Sequence, residues 1–473
     1  MTKDIRQIQR EIHMWEPLYE AVYKDGLLGW KLMNQPTAAG KTYGMYNEWI
    51  PKVISEEGNM VFCWLVTENS QKEVSTWQKI LHMALRNTDH YGIVRENMPM
   101  KEVMKHYRDG DTVVNVVTDP MMTRYSMSDF GWLSSLWRRF GVIRDEFHGA
   151  TSSSTRTTEA NTGTKMSGYK AQFFNLFKEY IDTTPHLYGM SATFTNEMLG
   201  VVGTEHYHQI GDNLSITPQS IRKHLKPLGS FDFFDAQIGV HGFDEEVKDQ
   251  AYIQQFEKFA SSLIRDREYI DRKSLEYDNI PEFNSKVFGL INVENTMTDV
   301  PSHWLGLDKE TVIDYYIRSG LSGTDHTYGV ITGDSKEEYD FDGNRIASIN
   351  GNDWVYRAED SGDPLLFGVT LNIGCTGTNI KNLTKALLLR NYSSEWNGQR
   401  IINRVLQVYG RMTRVNRGDL TNEQWDQLPL EFKIELYRII NTFDMTLREQ
   451  PHSREAIARF RELYCVEYDP NLI

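Results

Sequence analysis

The sequence predicts an α/β protein with two parallel-sheet domains in tandem, a connecting insert and a helical C-terminal tail. Three observations carry that expectation. Short apolar runs recur along the chain, of the length of buried strands rather than helices. Each run closes on a polar signature, as strands do where ligands gather beyond their carboxyl ends. Helix-like stretches alternate with the runs, and a second series of the same kind begins past the middle of the chain.

In the first half the runs are Gly29–Asn34, Met60–Val66, Thr112–Val117, Phe140–Ile143 and His186–Met190. They lead into the Pro36–Thr42 loop, Thr67, Thr118, Asp145 and Ser191 in that order. Tyr43–Ile54, Gln71–Leu85 and Tyr169–Tyr180 have helical spacing, and the Ser/Thr-rich stretch Thr151–Ser167 has the composition of a loop. From Thr204 to Phe283 the pattern is irregular apart from a helix at Val247–Ile270, which reads as a connecting insert. Strands resume at Val287–Val293, Tyr328–Thr332, Leu365–Thr370 and Ala386–Leu389. Pro429 at a first helical position, with Leu436, Ile440 and Phe443 on one face, predicts a helix in the tail. The expected division is therefore 1–203, 204–283, 284–425 and 426–473.

A chain of 473 residues with 40% hydrophobic and 25% charged residues is long enough for several packed cores. Met1–Pro17 is charged and polar, and no apolar run is long enough to span a bilayer, so the expected setting is the cytoplasm, without a membrane. Cys63, Cys375 and Cys465 lie far apart with no CxxC or Cys/His spacing, so neither a zinc knuckle nor a disulfide framework is indicated. Cys63 and Cys375 sit in apolar runs and read as core residues. The net charge of -14 argues against a protein that coats phosphate generally, yet a local groove is enough to grip a strand.

The chemistry lies in a few strings. Pro36, Thr37, Ala38, Ala39, Gly40, Lys41 and Thr42 follow a strand and precede a helix, the context of a phosphate loop. Backbone N–H groups at a helix start hold phosphate oxygens, Lys41 neutralises their charge and the Thr42 hydroxyl ligates Mg²⁺. Asp145 at a strand end holds the same ion, and Glu146 takes a proton from an attacking water. Gln407, Gly410, Arg411 and Arg414 read as a helix with Gln407, Arg411 and Arg414 on one face, where guanidinium groups stabilise charge on a transferred phosphoryl group. The plain alternatives are a Gly-Lys-Thr turn, a solvated acidic pair and a solvated basic face. Their order along the chain is what argues against all three.

With Ser191-Ala192-Thr193 and Asp145-Glu146-Phe147-His148 added, the chain resembles a superfamily 2 helicase-type ATPase of the DExH kind, nearest to restriction-type and phage recombination helicases. The match runs from about Ile12 to Arg417. Gly40–Thr42 matches motif I, Thr67 motif Ia, Thr118 motif Ib, Asp145–His148 motif II, Ser191–Thr193 motif III and Gln407–Arg414 motif VI. Val287–Asn292 matches motif IV, and Thr370 with Gly377–Asn379 matches motif V. The resemblance implies two RecA-like domains with ATP and Mg²⁺ in the cleft between them. It places Gly377 and Asn379 near the nucleotide, and Thr67, Thr118, His148, Asn292 and Thr370 toward a nucleic-acid strand. It also implies that Ser191 and Thr193 link hydrolysis to strand movement.

Three departures stand out. Trp15–Tyr19 holds no glutamine where the family reads adenine, Thr67 lacks a preceding proline, and Phe147 takes the place of a commoner small residue. The strings of DEAD-box RNA helicases are missing, which tilts the expected partner toward DNA. The implied activity is ATP hydrolysis that unwinds, anneals or branch-migrates DNA in recombination or repair, by a monomer or with replication or recombination partners. Rival readings are an RNA helicase, an ATP-bound clamp that does not turn over, and a phosphate-loop enzyme acting on a small molecule. Trp132, Trp137 and Phe140 around Arg138-Arg139 read as helix packing on a sheet rather than as a base-stacking platform.

Overall fold

The structure is a computed structural model. It describes residues 15–34, 41–58, 61–68, 92–118, 121, 124–147, 184–191, 207–210, 231–234, 245–276, 288–292, 327–331, 336–340, 345–348, 365–370, 383–388, 422–429, 431–432 and 443–446. The chain divides into two compact units, Met1–Ile221 and Arg222–Ile473.

The first unit is organised by a seven-stranded sheet: β1 (Trp30–Asn34), β2 (Cys63–Glu68), β3 (Gly92–Glu96), β4 (Thr112–Thr118), β5 (Phe140–Arg144), β6 (His186–Ser191) and β7 (Tyr207–Gln209). Their order is β3-β4-β2-β5-β6-β1-β7, and every pairing is parallel. A parallel sheet is covered on both faces, so its strands read as continuous apolar runs. In β4, six of seven residues are buried. Alternate side chains serve two cores. Trp64, Val66, Val114, Val116 and Ile143 point one way, while Cys63, Leu65, Val113, Val117 and Val142 point the other.

On the first face lie α1 (Trp15–Tyr19), continued by a π-turn at Glu20–Lys24, and a helical segment made of α2 (Lys41–Gly44), a π-turn at Met45–Trp49 and α3 (Ile50–Glu56). Met45, Trp49, Ile50 and Val53 are fully buried there. On the second face lie α4 (Met100–Arg108) and α5 (Met127–Ser135). A capping box starts α5, with the Ser126 hydroxyl accepting from the Asp129 N–H and the Asp129 carboxylate accepting from the Ser126 N–H.

The second unit holds β8 (Phe231–Phe234), α6 (Glu245–Leu275), β9 (Phe288–Asn292), β10 (Thr327–Ile331), β11 (Lys336–Asp340), β12 (Arg345–Ser348), β13 (Leu365–Thr370), β14 (Leu383–Leu388), α7 (Asn422–Gln427) and β15 (Phe443–Thr446). Six strands form one sheet in the order β12-β11-β10-β13-β9-β14. The pairings among β10, β13, β9 and β14 are parallel, whereas β11 and β12 add an antiparallel edge. Buried Phe256, Phe259, Ala260, Leu263 and Ile270 form one stripe along α6. Gly289 in β9 lets that helix lie close, because a Cβ there would stand 2.5 Å from Leu263 Cδ1 and 2.7 Å from Phe259 Cζ.

Several elements differ from the sequence reading. β7 pairs with β1, so the first sheet draws on residues beyond 203. The helix expected in a connecting insert packs on the second sheet instead. Phe443, expected on a helical face, lies in β15, which pairs parallel with β8. Of the aromatics near Arg138-Arg139, Phe140 is buried but Trp137 is 54% exposed, in a left-handed backbone conformation. The helices expected at 71–85 and 169–180 and the loop at 151–167 lie outside the described residues.

Candidate active site

Three of the sequence-predicted signatures follow adjacent strands at their carboxyl ends. β6 lies between β5 and β1, with Arg144 opposite Gly189 on one side and Asn34 opposite Ser191 on the other. Asp145 follows β5 directly, Ser191 ends β6, and Lys41 opens the helical segment after β1. The chain leaves β1 for β2 across β5 and β6, whereas it leaves β6 for β7 across β1. Two neighbouring strands whose connections depart in opposite directions define a topological switch point, the crevice where open α/β sheets bind ligands. Neighbouring strands stand about 4.8 Å apart, so the axes of β1 and β5 are about 10 Å apart, the scale of a phosphate chain with its ion.

Lys41, Asp145 and Glu146 are half-buried, and Ser191 is fully buried. The Asp145 carboxylate accepts the Glu146 N–H at 2.9 Å, closing a tight turn. Glu146 holds a φ of 47°, in the left-handed region where a residue with a Cβ is strained. Phe147 then turns into the core, with its ring 5.0 Å from that of Trp30 in an edge-on contact and no solvent exposure. Among the described residues no group of three or more His, Cys, Asp or Glu side chains is arranged to hold a metal. A lone carboxylate at a strand end is an oxygen donor of the kind that suits Mg²⁺, which keeps much of its shell as water.

At the same end of the sheet, Thr118 is held by Asn97. Asn97 Oδ1 accepts the Thr118 N–H at 3.1 Å, and Asn97 itself has a φ of 48°. Beneath it, Asn115 brackets Met98, accepting its N–H at 2.9 Å and donating to its carbonyl at 2.9 Å. The Tyr125 hydroxyl also donates to the Met98 carbonyl, at 2.8 Å. A buried network satisfied in this way fixes the loop after β3 against β4.

The opposite end of the sheet carries a second polar group, on the first face. Lys31 is fully buried, with its ammonium donating to the carbonyls of Leu27, Gly29 (3.0 Å) and Pro185 (2.6 Å). Burial pushes its pKa down to about 7. Buried His186 contacts the Tyr188 hydroxyl at 2.8 Å and Glu57 at 3.3 Å, and Arg138 stands 3.7 Å from the same Glu57 oxygen. Burial holds the His186 imidazole below the usual histidine range, against the opposing pull of Glu57. The Cys63 thiol is buried and pushed up to about 12, so it is a core residue and not a nucleophile.

Thr42, Thr67, Asn292 and Thr370 lie in α2, β2, β9 and β13 by their backbones. Pro36, Thr37, Ala38, Ala39, Gly40, His148, Thr193, Gly377, Asn379, Gln407, Arg411 and Arg414 lie outside the described residues. Sequence reasoning missed Asn97, Lys31 and Gly189. Gly189 had a signal, since an isolated glycine inside an apolar strand pattern marks a close approach. Lys31 between Trp30 and Leu32 had one too, as a charge inside an apolar run.

No protein-family model and no curated protein matches the chain at the sequence level. Among solved structures, the DUF1998 helicase MrfA bound to DNA matches with a TM-score of 0.51 and 12% identity, over 100% of this chain and 52% of that one. The likeness is one of fold: the chain shares the α/β architecture of that helicase structure. The Escherichia coli DExH-box NTPase HrpB matches at 0.46 and 13% identity, over 98% of this chain and 43% of that chain. The ATP-dependent Type ISP restriction-modification enzyme LlaBIII bound to DNA matches at 0.46 and 12%, over 99% and 33%. The chain thus spans about half or less of the length of these structures. Within the first unit, Asp145 and Ser191 lie at the ends of neighbouring strands, Lys41 opens the helical segment after the next strand, and Thr118 ends β4 farther along the same edge.

Proposed function

We propose that the protein is a nucleic-acid-dependent ATP hydrolase that works as a helicase or translocase on DNA. The observation that carries this reading is the convergence of Lys41, Asp145-Glu146 and Ser191 at the ends of three adjacent parallel strands. In this reading the two motor domains, expected at 1–203 and 284–425, are widened to take in β7, which pairs with β1, and α6, which packs on the second sheet. Lys41 and the phosphate-loop backbone bind the phosphates, and Thr42 and Asp145 hold Mg²⁺. That ion supplies charge neutralisation on the phosphate oxygens when bound. Glu146 takes the proton of the attacking water, and Arg411 and Arg414 stabilise the charge that develops on the γ-phosphoryl group. Ser191 sits on the strand between the two ATP-binding strands, so a shift of β6 reaches both. DNA is favoured over RNA because the MrfA structure was solved with DNA and the strings of DEAD-box RNA helicases are missing.

The test is ATP turnover with single-stranded, duplex and branched DNA and with RNA, for the parent and for Lys41→Ala and Glu146→Gln. DNA should stimulate the parent most, and each variant should lose at least about a hundredfold in kcat, the low end of a general base's contribution. Normal turnover by either variant refutes the assignment. A rate indifferent to nucleic acid moves the protein to small-molecule chemistry, and tight ATP binding without turnover moves it to a clamp.

A further inference from the structure

The residue after Glu146 is large where the resembled family has a small one, and the structure shows what accommodates it. Phe147 has no solvent exposure and packs with Trp30, Leu32 and Leu187 on the second face of the sheet. Its ring fills a notch left by the missing side chain of Gly189. A Cβ at Gly189 would stand 2.5 Å from Phe147 Cδ2, 3.0 Å from Phe147 Cε2 and 2.7 Å from Leu32 Cδ2. Real Cβ atoms do not approach so closely, so the ring and the glycine fit only each other.

Gly189 belongs to β6, and Ser191 lies two residues further on the same strand, on the same face. Glu146 immediately precedes Phe147 and holds its left-handed φ of 47° in a turn closed by Asp145. A strained conformation persists only where its surroundings over-determine it. The turn is fixed on one side by the Asp145 bond and on the other by the buried ring. We propose that Phe147 is a positioning residue: seated in the Gly189 notch of β6, it sets the placement of Glu146 and makes that placement follow the movement of the strand that carries Ser191. This rests on Glu146 being the base that activates water.

The test uses the full chain and five variants: Gly189→Ala, Phe147→Leu, Phe147→Ala, the double variant Gly189→Ala with Phe147→Ala, and Glu146→Gln. Turnover is measured at saturating single-stranded DNA, alongside binding of a non-hydrolysable ATP analogue and thermal unfolding. Gly189→Ala and Phe147→Ala should each lower kcat at least tenfold, while KM for ATP and analogue affinity stay within twofold. Phe147→Leu should fall between them and the parent. The double variant should match Phe147→Ala within twofold, because the added methyl group has no ring left to displace. Losses that multiply in the double variant, or kcat unchanged in a folded Gly189→Ala or Phe147→Leu protein, overturn the proposal. So do losses that appear in KM, or that follow the folded fraction. If Glu146→Gln turns over normally, it is the underlying ATPase reading that fails. If Glu146→Gln is inactive and the Phe147 variants are normal, the positioning role alone fails.

Discussion

Asn97 joins stability to the strand edge where Thr118 lies, and two substitutions separate its contributions. Its backbone sits at φ 48°, its N–H donates to the Val116 carbonyl at 2.8 Å, and its side chain accepts the Thr118 N–H at 3.1 Å. Asn97→Ala keeps the chain path, forces a Cβ residue without a local partner into the left-handed region and strands the half-buried Thr118 N–H. The first effect costs about 1–2 kcal/mol and the second about 1–3 kcal/mol. Asn97→Gly loses the same bond but adopts this φ without strain, so it should be less destabilised than the alanine variant by about 1 kcal/mol. In urea, with a slope of about 2 kcal/mol/M, that separates the two midpoints by about 0.5 M. Thr118 loses its holder equally in both, so the DNA concentration for half-maximal ATPase should rise by the same factor in each. Equal destabilisation of the two variants refutes the strain argument. Parent-like stability of Asn97→Ala refutes the role of the Thr118 bond.

Gly141→Ala should destabilise the first unit by about 1–3 kcal/mol in chemical denaturation, because the new Cβ would overlap the six-membered ring of Trp64, and Trp64→Phe should relieve part of that loss. Lys385 and Asp266 form an ion pair at 3.2 Å between β14 and α6, with side-chain exposures of 6% and 16%. Lys385→Met should therefore cost about 3 kcal/mol, and adding Asp266→Leu should recover much of it, since an apolar pair replaces a lone buried charge. His186 is held below the histidine range by burial, so the unfolded chain takes up a proton below about pH 6.5 that the folded protein refuses. Stability should fall as pH drops through that window, by at most about 1.4 kcal/mol per unit from this group. His186→Gln should flatten that part of a urea-midpoint-against-pH curve, and an unchanged slope would show that His186 does not titrate there.

β4, β5 and β6 were legible because parallel strands buried on both faces leave long apolar runs, and β13 occupies the very residues Leu365–Thr370 that the sequence marks. β3, with Arg95 and Glu96 in its second half, and β11, spelled Lys-Glu-Glu-Tyr-Asp, were not legible. β3 is an edge strand, which leaves one side unpaired, and β11 lies one strand in from the antiparallel edge, so neither has the apolar run of a central parallel strand. The placement of Phe443 failed for a related reason: three apolar residues at helical spacing fit a helix face, but pairing with β8 decides the conformation. Among the described residues, no helix is long and apolar enough to cross a membrane.

By itself the sequence determined which side chains follow which strand, because Asp145-Glu146 after one apolar run and Ser191 at the end of another are local strings. What the tertiary structure decided is which of those strands are neighbours. Placing β6 between β5 and β1 creates the crevice, sets Gly189 beneath Phe147 and puts Ser191 beside both halves of the site. Strand order is settled by crossover direction and by the fit of side chains more than 40 residues apart in sequence, such as Phe147 and Gly189. A local pattern records at most one side of such a contact: an isolated glycine in an apolar strand marks a close approach without naming its partner.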